Sequence, residues 1–181
     1  MPVPFRDLDP DDDTGIAAYL KLADEPLGRG MRAALFCVNA RGEPAAFSFS
    51  RIDLPPAVLW RAGELRRRAV ASLCKMLFGA VSQTPALLLV MADEVSPRVF
   101  SEDVEVRIPV CRVQCDSVTT SAIEEATESI DETLHLFWTG SGRPEAGSSA
   151  RDLVDLLRAR SLLLEPFERA ALGLEEAFRS G

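Results

Sequence analysis

The alternation of apolar and polar positions divides the chain into a strand-rich first half and a helix-rich end. GIAAYLKLAD places Ile16, Ala18, Leu20 and Leu22 on one face and Ala17, Tyr19 and Lys21 on the other, which predicts a strand. DEPLGRG follows as a turn. MRAALFCVN and EPAAFSFSRI read as two further strands joined near ARG, where Gly42 supplies the positive φ that hairpin loops use. LPPAVLW breaks the pattern, because Pro55 and Pro56 donate no hydrogen bond to a ladder.

The stretch from Glu43 to Glu94 reads as strand, helix, strand. In AGELRRRAVASLCKMLFGAVSQ, Leu65, Ala69, Leu73, Met76, Leu77 and Ala80 recur at three and four, a helical stripe. PALLLVMADE is apolar through its centre, as in a strand buried on both faces. A unit of this length suits a right-handed crossover between parallel strands. SPRVFSED is an irregular link, and VEVRIPVCRV is a fifth strand, with Pro109 pointing to an edge or a bulge.

Over residues 121–139 two patterns compete. TLHLFW alone fits a strand. The wider window, with Ile123, Ala126, Ile130, Leu134 and Phe137 at helical spacing, a Ser121–Glu124 capping box and Gly140 beyond, predicts one amphipathic helix. GSGRPEAGSS is a flexible linker by composition. Ser149 is placed to cap a helix running to about Arg160, and Pro166 opens a last helix striped by Phe167, Ala170, Ala171, Leu174, Ala177 and Phe178. The expected organisation is an acidic, disordered tail over 1–13, an α/β (or α+β) core over 14–139, a linker over 140–149 and a helical pair over 150–181. The core is one domain with a mixed five-stranded sheet.

Length and composition narrow the class. A chain of 181 residues with 47% apolar and 27% charged residues is long enough to bury a sizeable core. The net charge of −8 argues against gripping nucleic acid through overall positive charge, while leaving room for a local basic groove. No apolar run approaches the roughly 20 residues that cross a bilayer. MPVPFRDLDPDDD has no apolar signal core, and Cys37, Cys74, Cys111 and Cys115 lack the layout of a small disulfide domain. A cytoplasmic protein with reduced thiols is expected.

Catalytic signatures are sparse. His135 is the only His, and no G-x-S-x-G elbow offers it a nucleophile. Cys111 and Cys115 are too few for a structural zinc site. The glycines of GRG and GSGRPEAG lack a nucleotide-loop context, so no organic cofactor is implied. Arg66, Arg67 and Arg68 occupy the first turns of their helix, where the dipole does not favour cations. Consecutive positions there spread over some 200° of arc, so they do not meet one ligand; carboxylates are their expected partners.

The element order, three strands, a helix, two strands and a helix, with two helices beyond, resembles the ribonuclease-H-like fold over roughly residues 15–139. Members with nuclease activity gather carboxylates from the first strand, the fourth strand and a later helix around two divalent metals. The resemblance implies Asp24, Asp93 and Glu124 or Glu128 as the matching positions, with Glu64 as a helper and Mg²⁺ or Mn²⁺ as the metal. Such nucleases place an Asp within the first strand, whereas residues 16–22 hold no carboxylate. The leading expectation is therefore a non-catalytic binding or assembly protein, whose C-terminal helices either self-associate or dock on a partner, or else pack on their own sheet and complete the core. The alternative is a divalent-metal nuclease or phosphodiesterase, decided by whether those carboxylates converge.

Overall fold

A computed structural model of the chain describes residues 14–61, 63–115, 126–139 and 142–179. The acidic 1–13 segment and Glu124 lie outside the described residues. The fold is a mixed α/β domain built on one seven-stranded sheet of order β3-β2-β1-β4-β5-β7-β6. Its strands are β1 (Ile16–Asp24), β2 (Gly30–Asn39), β3 (Pro44–Asp53), β4 (Leu87–Met91), β5 (Val110–Gln114), β6 (Ala126–Ser129) and β7 (His135–Thr139). The helices are α1 (Glu64–Ala80), α2 (Ser149–Ala159) and α3 (Glu165–Arg179).

The three N-terminal strands form an antiparallel meander. Between β2 and β3, Gly42 has φ +78°, and a Cβ there would come within 2.9 Å of the Leu162 side chain. The loop thus needs glycine both for its backbone and for the close approach of the α2–α3 turn. After α1 the chain returns as β4 alongside β1, parallel to it, and β5 lies parallel to β4. The carboxyl ends of β1, β4 and β5 therefore share one edge of the sheet.

Alternation along the strands feeds two cores. Ala18, Leu20, Leu22, Leu88 and Val90 face α1 and pack on Leu73, Cys74 and Leu77. Ala17, Tyr19, Leu87, Leu89, Leu136 and Trp138 face α2 and α3, against Leu153, Leu157, Phe167 and Ala170. The Tyr19 hydroxyl donates to the Leu162 carbonyl at 2.6 Å, which lets a phenol sit in the dry interior.

Two expectations are corrected. The sheet has seven strands, not five. The helix expected over 121–139 is, in its described part, a β-hairpin pairing β6 with β7. Asp131 decides this locally. Its Oδ1 accepts from the Thr133 and Leu134 backbone N–H groups, each at 2.8 Å, and so closes a turn where a helix would continue. The β7 edge on β5 then offers a ladder that a helix cannot use.

The C-terminal helices take the second of the two roles open to them and complete the core. Their apolar stripes are spent on their own sheet: Leu153, Val154, Leu157, Phe167, Ala170 and Leu174 are all buried. Burial of each large side chain contributes roughly 1.5–3 kcal/mol, so exposing these faces to a partner would unravel the second core. Ser148 rather than Ser149 caps α2, accepting from the Arg151 N–H at 3.3 Å. Among the described residues no helix is long and apolar enough to cross a membrane.

The cysteines give a direct test of this packing. Cys37, Cys74 and Cys111 are buried and Cys115 is exposed. Burial pushes the Cys37 thiol up to about 11 and the Cys74 thiol up to about 12. Thiolates are the reactive form. Native protein at neutral pH should release one equivalent of chromophore from a disulfide thiol reagent, and denatured protein four. Two or more fast native equivalents would contradict the two-core arrangement.

Candidate functional site

The start of α1, the segment after β4 and Arg112 of β5 form a cleft of about 850 Å³ at the carboxyl ends of β4 and β5. Its walls carry Arg61, Arg66, Arg67, Arg98 and Arg112, and the acids Glu64, Asp93 and Glu94. Arg61 and Arg98 stand exposed, and Asp93 is exposed on the turn that follows β4. Five arginines thus meet three acids in the wall, and Arg98 lies 3.7 Å from Glu102. Net charge over the whole chain therefore does not describe this edge, where local charge governs contact at short range.

Each arginine of the 66–68 run goes to a different partner, as helical geometry demands. Arg66 Nη1 pairs with the Asp24 carboxylate, and its Nη2 reaches the Glu94 carbonyl at 3.5 Å. Arg67 lies 2.9 Å from Asp103 and 3.2 Å from Glu102. Arg68 pairs with Glu64 at 3.1 Å and sits over the Trp60 ring at 5.0 Å. These pairings offset the unfavourable placement of cations in the first turns of α1.

The turn carrying Asp93 and Glu94 is held from below and from the side. Arg112 rises from the centre of β5 and is buried, with 3% of its surface exposed. Its Nε donates to the Val95 carbonyl and its Nη2 to the Ala92 carbonyl, both at 2.9 Å. Glu94 turns inward. Its Oε1 pairs with Lys21 Nζ, and its Oε2 accepts from the Leu22 N–H at 3.0 Å. Asp93 has no hydrogen bond or ion pair among the described residues and faces the cleft.

Of the sequence-derived carboxylates, Asp24, Asp93 and Glu128 do not assemble into one centre, and Glu124 lies outside the described residues. Asp24 and Asp93 reach the same edge, but Asp24 is taken by Arg66. Glu64 is also in the cleft wall and is taken by Arg68. Glu128 lies on β6 opposite Leu136, a side chain of the α2–α3 face, whereas Asp24 continues the Leu20–Leu22 row on the α1 face. Glu128 instead accepts two hydrogen bonds from Arg151, at 2.8 and 3.0 Å, with Arg143 at 3.3 Å. The Arg151 guanidinium and its hydrogen bonds hold the Glu128 carboxyl below the usual carboxylate range. Among the described residues no group of three or more His, Cys, Asp or Glu side chains is placed to hold a metal ion. The donor set does not fit a two-metal centre.

His135 opens β7, with Nδ1 3.1 Å from the Ser129 hydroxyl in the hairpin. It is a strand residue, not the neighbour of Asp131 on a helix. Sequence reasoning also passed over Lys21, Glu94 and Arg112. The signal for Arg112 was present: a lone charge inside the apolar run VCRVQ, where a buried cation must find acceptors.

No protein-family profile matches the chain, and no curated protein matches it in sequence. Solved structures do match in fold. Endonuclease V from Bacillus subtilis aligns over 92% of this chain and 82% of its own, with TM-score 0.55 and 16% identity. Endonuclease V from Streptomyces avermitilis aligns over 94% and 84%, with TM-score 0.56 and 13% identity. This likeness in fold, with the internal packing of α2 and α3, overturns the expectation of a non-catalytic binding or assembly protein.

Proposed function

We propose that the protein acts on nucleic acid, taking a phosphodiester strand along the arginine-lined cleft at the carboxyl ends of β4 and β5. The observation that carries this reading is the pair of exposed guanidinium groups, Arg61 at the entry to α1 and Arg98 after β4, on one cleft whose floor turn is held by the buried Arg112. Guanidinium groups suit phosphate oxygens because their donors match them in pairs. Ligands of open α/β sheets sit outside the carboxyl ends of the strands, where this cleft lies. The shared fold with two proteins named as endonucleases supports the same reading. Asp93 is the exposed carboxylate of the cleft, so strand cleavage is the activity to assay there.

The test is fluorescence anisotropy with short labelled oligonucleotides of single-stranded DNA, duplex DNA and RNA. Binding should weaken as salt rises from about 50 to about 200 mM, because phosphate contacts release counterions. Arg61→Ala and Arg98→Ala, both exposed, should each lower the salt slope by about one. The same mixtures, run on denaturing gels with Mg²⁺ or Mn²⁺ and with Asp93→Asn as control, report cleavage. Failure to bind any of the three polymers at the lower salt, or binding indifferent to both arginine changes, would overturn the reading.

A further inference from the structure

The cations around Glu94 and Asp24 belong to the protein itself. Lys21 approaches Glu94 from β1, on the α2–α3 side of the sheet, and Arg66 approaches Asp24 and the Glu94 carbonyl from α1. Both Glu94 oxygens are used, one by Lys21 and one by the Leu22 N–H. Lys21 stands within the strand whose positions 16–22 hold no carboxylate. The two acids that this edge offers are thus each paired with a cation of the protein, Glu94 with an ammonium from one face of the sheet and Asp24 with a guanidinium from the other.

We propose that Lys21 and Arg66 are built-in counter-cations that replace divalent metal at this edge, so that the cleft holds a phosphodiester without any divalent ion. The physical ground is charge balance. A metal centre needs several carboxylates whose negative charge the ion neutralises. Here Glu94 and Asp24 are already neutralised by side chains of comparable reach. A divalent ion held by Glu94 would have to displace Lys21, and one held by Asp24 would have to displace Arg66, each leaving a cation beside it at a like-charge cost. The phosphate then meets the outer guanidinium groups of Arg61 and of Arg98, the latter also 3.7 Å from Glu102. This extends the proposed function, and it rests on that reading for its ligand.

Two measurements test it, the first without nucleic acid. Mn²⁺ added to the intact protein is followed by electron paramagnetic resonance. No saturable site should appear below about 1 mM, the weak end of protein sites for divalent ions. Lys21→Met and Arg66→Gln, made singly and together and checked for native circular dichroism, should tighten Mn²⁺ binding by about tenfold or more. A wild-type Mn²⁺ site in the micromolar range, lost in Asp93→Asn, would overturn the inference. So would folded variants that gain no Mn²⁺ affinity.

The second measurement is oligonucleotide binding in EDTA and in Mg²⁺ at matched ionic strength. Equal affinity is expected, within about twofold. Binding that vanishes in EDTA overturns the counter-cation role while leaving the nucleic-acid reading intact. Absence of binding in both buffers overturns the nucleic-acid reading, and the Mn²⁺ titration still decides the counter-cation role.

Discussion

Arg112→Met should lower the stability of the domain by about 3 kcal/mol and loosen the turn that carries Asp93 and Glu94. Two backbone carbonyls, of Ala92 and Val95, take hydrogen bonds from this guanidinium at 2.9 Å. They remain when the side chain is changed, and each buried acceptor left unpaired costs about 1–3 kcal/mol. Replacing a buried ion pair by apolar residues is often neutral because both charges leave together. That escape is closed here, because the acceptors are main chain. Met keeps most of the stem volume against Phe137, whose ring lies 5.9 Å from the guanidinium, so the change reports lost hydrogen bonds more than a cavity. For a domain of this size the fall should be roughly 6–12 °C in Tm. Urea unfolding with an unchanged slope and a lower midpoint is the companion result. Amide exchange over 92–96 should quicken more than exchange over α3. A Tm within about 1 °C of wild type would show that the turn does not depend on Arg112.

The consequence reaches the cleft. Asp93 is exposed, and its position is set by the turn beneath it rather than by contacts of its own carboxylate. A group of this kind is only as well placed as its support. Arg112 is therefore a positioning residue for the cleft. If Arg112→Met weakened oligonucleotide binding while Asp93→Asn left it unchanged, the turn's backbone and its arginine neighbours would carry the binding.

How far the sequence revealed this can be traced residue by residue. The β1, β2, β3, α1, β4 order was legible because each element has its own period: two in IAAYLKL, three to four in LRRRAVASLCKML. The β6–β7 hairpin was not, because Ile130, Leu134 and Phe137 satisfy helical spacing by coincidence and the contrary signal is one Asp131 carboxylate. Tertiary pairing of β7 with β5 then settles the outcome, and no local window contains it. Asp93 was legible as a residue delivered to a sheet edge by a buried strand. Its neighbours were not. Glu94 and Lys21 are 73 positions apart and Asp24 and Arg66 are 42 apart, so their pairings emerge only when β1, β4 and α1 are assembled. Glu128 was grouped with Asp24 because the ribonuclease-H-like resemblance takes one acid from the first strand and one from a later helix. Sheet parity, which sequence spacing alone does not supply, puts them on opposite faces.

That separation makes Glu128 a structural residue, and Glu128→Gln should show it. The carboxylate is only 10% exposed and Arg151 12%, so their two hydrogen bonds are formed in a partly dry place. The Trp138 indole N–H adds a third at 3.3 Å, and Arg143 adds charge from the segment before α2. Together these tie β6, β7 and α2, the three elements at the far edge of the sheet. Hydrogen bonds to charged groups are worth about 1.5–3 kcal/mol each, and Asp155 retains part of Arg151's pairing, so a net loss of about 2 kcal/mol is expected. The pH dependence gives the sign. Glu128 has its folded pKa depressed, with the Arg151 hydrogen bonds as the largest cause. Its contribution is therefore complete above the unfolded value, about 4.3, and is lost as pH falls from there through the folded value. Wild type should lose more stability between neutral pH and about pH 3 than Glu128→Gln does, because Gln has no proton to take up. Oligonucleotide binding by the variant, measured well below its Tm, should equal wild type, since Glu128 lies across the sheet from the cleft. Binding abolished in a variant of undiminished stability would return Glu128 to the functional site and require the cleft to extend around the β6 edge.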